Sequence, residues 1–322
     1  MALTATTGID PGAIETLLKD DLFHADQVIV HMGPILRHLL RNDDSSIFSD
    51  EVIARVRGML ADIARQLIQA LGEAAGHSDA AAWAREAGPG MVDILAGHQA
   101  LLNHLHMLAV EWQLAEKLQS RLGIDPVLTP LLQDIIASPD HDLAARGMNL
   151  LAAQARFGQA IRRMQLPLTE LPDDLHHIAI LTMHGYVADD PSGVAAAELA
   201  EVMQRKLRSE TASRLDLLAY AISATGAKPT ATLSLQNAGV ALFLTALSLG
   251  TGLPRETAIM STTESQMPRL ALSLAGAGLG KDGLTETFNA LHPDITLPDG
   301  LAQLHPDRAL ALLASAHYSD GV

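Results

Sequence analysis

Residues 129-TPLLQDIIASPDHDLAARGMNLLAAQARFGQAIRRM-164 read as a helix, a tight Ser-Pro-Asp turn and a second, longer helix. Leu131, Leu132, Ile135 and Ile136 share one face of the first helix, the spacing of an amphipathic α-helix. The first helix stops at Ser138-Pro139, because proline disfavours helical geometry in the residue before it. Asp140 and Asp142 then stand near the next N-terminus, where carboxylates cap free N–H groups and oppose the helix dipole. The second helix carries two apolar stripes, Ala144, Met148, Leu151 and Ala155, and beside it Leu143, Leu150, Phe157, Ile161 and Met164. Apolar cover over that much circumference predicts a helix packed on two sides. Its polar remainder, Arg146, Asn149, Arg156 and Arg163, forms one narrow ridge.

Outward from this unit the same punctuation recurs. Ser49 precedes a long helical pattern to about Ala75, and Gly88-Pro89-Gly90 reads as the end of a short alanine-rich piece. Met91–Leu122 reads as the longest helix, stopped by Gly123. Further helices are expected over 173–187, over 194–223 with a break near Ser209, and over five shorter pieces to His317. No run alternates as a strand would, so the expected fold class is all-α, an array of antiparallel helix pairs of HEAT-like or irregular bundle type. Helix pairs of roughly 35–45 residues recur in rhythm without an exact repeat. The expected regions are 1–124, 125–223 and 233–322, with "ATGAKPTAT" at 224–232 as linker.

Composition narrows the function. The chain has 322 residues, 3% aromatics and a net charge of −15, which argues against a nucleic-acid backbone as partner. Absence of cysteine removes disulfides, thiolate metal sites and thiol nucleophiles. The N-terminus lacks a basic region followed by an apolar one, so a cytoplasmic chain without signal peptide is expected. Within the uncharged run 229–254 the predominantly apolar part, Ala238–Pro254, is about 17 residues, short of the ~20 a spanning helix needs. It is expected to be a buried core helix, with no membrane insertion.

The block 240-VALFLTALSLGTGLPRETAIMSTTESQMPRLALSLAGAGLG-280 resembles part of the DUF2336 family, all-helical bacterial proteins of unknown function. The unit "LLQDIIASPDHDLAARGMNLL" resembles that family's HEAT-like part. The resemblance implies a helix, a Gly-Leu-Pro turn, a short helix and a small-residue helix, and it implies no catalytic residue.

Fourteen histidines are the main chemical resource. His24, His31 and His38 recur every seven residues, about 10.5 Å along a helix, too far apart for one metal. His98, His104 and His106 fall on different sides of one helix. Asp173, His176 and His177 are the best chemical cluster, because Asp173 and His177 stand at i, i+4 and can meet on one face. His141-Asp142 spells the dipeptide of metal-dependent phosphohydrolases at a place where Asp has a capping role. The chain lacks a P-loop and a G-x-S-x-G elbow. The glycines of Leu274–Gly283 follow no strand and read as a helix end packed on a neighbour. No catalytic residue and no cofactor are expected. The expected function is a non-enzymatic helical scaffold that binds another protein, through Arg146, Arg156, Arg162 and Arg163. Self-association through the Met91–Leu122 helix is a further expectation. The alternative is a metal-dependent enzyme or small-molecule sensor using Asp173, His176 and His177.

Overall fold

Helix caps written in the sequence are made as expected. In the computed structural model, which describes residues 18–24, 26–27, 34–38, 49–226, 228–295, 297 and 304–317, Ser49 Oγ accepts from the Val52 N–H at 3.3 Å. Asp140 Oδ1 accepts from Asp142 at 2.9 Å and from Leu143 at 3.2 Å. Gly123 ends its helix with φ +70, a left-handed position glycine takes without a Cβ penalty. From Asp50 onward the described residues form sixteen helices, two of them single 3₁₀ turns; residues 18–24, 26–27 and 34–38 are helical too, and no described residue is in a strand. The fold is all-α. The helix start at Asp10-Pro11, the loop at Asn42–Ser46 and His31 lie outside the described residues.

The chain divides into two compact units, Met32–Ala224 and a second that joins Met1–His31 to Thr225–Val322. The first contains α1 (Asp50–Ala74), α2 (Ala80–Leu95), α3 (Gln99–Leu122), α4 (Pro130–Ile136), α5 (His141–Arg162), α6 (Asp173–Tyr186), α7 (Pro191–Ser209) and α8 (Arg214–Ala224). Helix α1 packs on α2, α3 and α7, α5 packs on α4 and α8, and α6 lies against α2 and α7. One core runs from Val56, Met59 and Ile63 of α1 through Leu105 and Trp112 of α3 to Phe157, Ile161, Met183 and Ala200. It takes residues from both sides of Gly123, where the sequence suggested a regional boundary. Helix α3, expected to be a dimer surface, spends Leu101, Leu105, Leu108 and Trp112 on this core.

Two expectations need correction. Gly88-Pro89-Gly90 does not end a helix: α2 passes through Pro89 to Leu95. An interior proline removes one ladder bond and crowds the carbonyl four residues back, and here Tyr186 packs beside the weakened turn, its hydroxyl donating to the Ala87 carbonyl at 3.3 Å. The break falls instead at Ala96–His98, in a turn closed by Gly97 N–H to Ile94 O at 2.9 Å. In α5 the stripe Leu150, Phe157 and Ile161 is buried, but Met148 of the other stripe is 52% exposed. Close contact is made by glycine: a Cβ on Gly147 would meet Ile135 Cγ2 at 2.8 Å, and one on Gly158 would meet Trp112 at 3.1 Å. Without side chains these positions carry no apolar signal, yet they bring α4 and α3 closest.

The segment between α5 and α6 is held by α1. Asp62 Oδ2 accepts from Leu166 N–H at 3.1 Å, and Gln66 both donates to Leu166 O at 2.8 Å and accepts from Leu168 N–H at 3.1 Å. This fixes the 3₁₀ turn Leu168–Glu170 and the start of α6.

The second unit contains helical residues 18–24 and 26–27, then α9 (Pro229–Thr232), α10 (Leu235–Thr251), α11 (Arg255–Ser261), the 3₁₀ turn Glu264–Gln266, α12 (Met267–Gly276), α13 (Lys281–Leu291) and α14 (Pro306–His317). Helix α10 is buried along most of its length and kinks at Gly239, whose φ 66 and ψ 176 are non-helical. The small-residue end of α12 packs closely, a Cβ on Gly276 meeting Leu310 at 2.9 Å. Buried Arg269 pairs with Asp26 and with Gln266, which ties the early helical residues to α12. Among the described residues no single helix is long and apolar enough to cross a membrane. Only α10 and α11 taken together would pass by length and composition, and they are bent by 113°.

Burial also sets an acid sensitivity. His106 in α3 is 2% exposed, and desolvation lowers its pKa to about 4. An unfolded chain takes up this proton near pH 6.5 and the folded one does not, so stability is lost as pH falls from about 6.5 toward 4. At about 1.4 kcal/mol per pH unit the loss is of order 3 kcal/mol. Urea unfolding at pH 7 and pH 4.5 should show a smaller acid loss for His106→Leu than for the native chain; equal losses would contradict the assignment.

Candidate functional site

The connector pinned by Asp62 and Gln66 delivers Thr169 and Asp173 to the rim of a cavity of about 620 Å³ in the first unit. Helix α5 contributes Arg146. Helix α6 contributes Asp173, His176 and His177, and α7 contributes Arg205 and Arg208. Thr211, Ser213 and Asp216 close the wall where the chain turns into α8. Three guanidinium groups from two helices thus converge on one concave surface of an acidic protein.

Each is held differently. Arg146 lies over the Tyr220 ring at 4.2 Å, a cation–π contact that orients the planar group without occupying its N–H donors. Arg208 grips Asp173 with Nη2 at 2.7 Å and Nε at 2.9 Å, and its Nη1 donates to Thr169 O at 3.3 Å. Arg205 pairs with Glu201 one turn back at 2.6 Å. Glu201 also meets His184 Nε2 at 2.6 Å; these contacts, His184 first, hold its carboxyl below the usual range.

His176 faces the cavity from a wall that leaves it 5% exposed. Burial lowers its pKa, Arg208 adds to the effect and Asp173 opposes it, so the imidazole is neutral at physiological pH. Its Nε2 has no hydrogen-bond partner among the described residues. A buried polar atom without a partner costs free energy unless something arrives to satisfy it. Nearby, burial raises the Glu170 pKa, against the pull of Arg214, Arg156 and Arg208.

The sequence-derived candidates are partly gathered here. Asp173, His176 and His177 all line the cavity, with His176 turned inward and His177 exposed. Among the described residues no group of three or more His, Cys, Asp or Glu side chains is arranged to hold a metal. The four arginines of α5 are dispersed: Arg146 lines the cavity, exposed Arg156 influences Glu170, Arg162 lies over Trp112 at 5.2 Å, and exposed Arg163 follows the end of α5. Arg205 and Arg208 were missed. Their signal was the basic last turn of α7, just before the break near Ser209. Of the other histidines, His24 contacts its own helix through Asp20 O at 2.7 Å, and His98 meets Thr182 at 3.1 Å. His141 and Asp142 are exposed at a helix start.

The chain matches no protein-family profile, no curated protein and no solved structure.

Proposed function

We propose that the chain is a non-enzymatic binding module, a helical scaffold that takes an acidic segment of a partner protein into the cleft between α5, α6 and α7. The observation that carries this reading is the convergence of Arg146, Arg205 and Arg208 on one concave wall. Guanidinium groups recognise carboxylates through paired N–H donors. Arg146 is already oriented by Tyr220, so a carboxylate orders little on arrival. Arg208 can pass from Asp173, whose side chain is 94% exposed, to a ligand carboxylate with little loss, since exposed ion pairs are weak.

The test is a photo-crosslinking amino acid placed at Ser209, on the rim, followed by capture from native cytosol. One acidic segment of one partner should dominate the crosslinks and vanish in an Arg146→Glu/Arg208→Glu chain. Crosslinks that persist in that variant would sink the reading.

Asp173, His176 and His177 also support a small-molecule or metal reading, because a cavity of about 620 Å³ lies within the ~300–1,000 Å³ of small-ligand pockets. Three guanidinium groups in the wall disfavour a cation there on electrostatic grounds. Elemental analysis of protein purified without a metal-affinity step decides it: stoichiometric metal would replace the scaffold reading.

A further inference from the structure

Helix α7 carries a second feature, on a face that borders the cleft at Arg205. Three of its small residues, Ala196, Ala197 and Ala200, are buried, Ala196 toward the N-terminal end on the azimuth between Met203 and Leu207. Its outer face leaves Leu199 51%, Val202 63%, Met203 46% and Leu207 50% exposed. Single exposed apolar residues are ordinary, but four on successive turns of one helix form a continuous stripe of the kind that marks an interface. At about 100° per residue they fill an arc of about 140°, in the order Val202, Leu199, Met203, Leu207. Just beyond the Val202 edge lie Glu198 and Arg205, two turns apart on the same border of the stripe.

We propose that this stripe is a homodimer interface, with α7 paired antiparallel to α7 of a second copy. The charges select that occupant and that direction. A two-fold axis perpendicular to the helices brings the same border of both copies together with their directions reversed. Glu198 of one copy then lies beside Arg205 of the other, and the pair forms twice. Val202, close to the midpoint between the two charges, meets its counterpart near the axis, and Leu199 packs toward Met203 of the other copy. A parallel pairing would put the two charged borders on opposite sides of the seam and leave both unmatched. Glu198 makes no ion pair among the described residues. Arg205 shares its guanidinium with Glu201 at 2.6 Å, and its five donors allow a second carboxylate. Alternating charge beside an apolar seam sets partner and orientation in paired helices generally.

Val202 and Glu198 lie outside the cleft, whereas Arg205 lines it, so Val202→Glu and Glu198→Arg are the variants that read the dimer apart from the cleft. Sedimentation equilibrium of the full chain tests it. The native chain should pass from monomer to dimer with concentration. Val202→Glu should weaken the dimer by about 100-fold or more, because it puts two like charges at the axis; this exposed position should leave thermal unfolding of the monomer unchanged. Glu198→Arg alone and Arg205→Glu alone should each weaken association by about tenfold. The combined swap should bring it back to within a few-fold of the native chain, which a merely structural effect would not do. A chain that is monomeric at every concentration overturns the proposal, as does a dimer that survives Val202→Glu. Failure of the combined swap to restore association overturns the antiparallel pairing.

Discussion

Arg214→Met should destabilise the first unit by about 3–5 kcal/mol, the cost of leaving a buried charge without its partner. The Arg214 side chain is 2% exposed and that of Glu111 4%, and their two contacts are 3.1 and 3.2 Å. Arg214 also donates to Gln154 Oε1 at 2.7 Å and lies over the Phe157 ring at 3.8 Å. One guanidinium thus joins α8 to α3 and α5 and fixes where the Thr211–Asp216 wall of the cleft begins. Methionine keeps much of the volume and none of the donors, so the buried Glu111 carboxylate loses both of these contacts. Arg214→Met/Glu111→Leu should recover most of the loss, because an apolar pair of similar size often replaces a buried ion pair at little cost. Both tryptophans, Trp83 and Trp112, belong to this unit, so urea unfolding followed by their fluorescence reads it selectively. A loss below about 1 kcal/mol for the single variant would contradict this network.

The second large effect falls in the other unit. Gly239→Ala should destabilise it by about 1–3 kcal/mol, because φ 66 with ψ 176 is a backbone state that only glycine holds without strain. The kink divides α10 into a first turn, with Leu235 and Ala238 buried, and a longer run in which Val240, Phe243, Leu244 and Leu247 are buried. Straightening the helix to relieve an alanine would rotate one of these groups out of the core. Circular dichroism should therefore show an earlier transition while the tryptophan transition stays in place. An unchanged curve would mean that the kink is not a feature of the folded chain.

Much of this fold is legible in the sequence because helix ends are written locally. Ser49, Asp140 and Gly123 each mark a boundary with a side chain or a backbone conformation that needs no tertiary partner, whereas the helix expected from 194 starts at Pro191, capped by Asp190. Legibility fails where tertiary contact overrides the local signal. Pro89 reads as a stop, yet α2 continues because Tyr186 and the core hold it. Met148 reads as core, yet Gly147 and Gly158 make the contacts. The cleft was visible only in part. Asp173, His176 and His177 are neighbours in sequence, so their spacing reveals them. Arg146 and Arg208 are far apart in the chain and come together through tertiary packing, to which the hold of Asp62 and Gln66 on the connector between α5 and α6 contributes.

The most direct test of the cleft is a titration by fluorescence anisotropy. A labelled peptide rich in Asp and Glu, and a neutral control of equal length, would be added to the native chain and to Arg146→Glu/Arg208→Glu. The account predicts saturable binding of the acidic peptide alone, weakening as salt rises and reduced by about tenfold or more in the variant. Equal binding of both peptides, or an unchanged affinity in the variant, would contradict it.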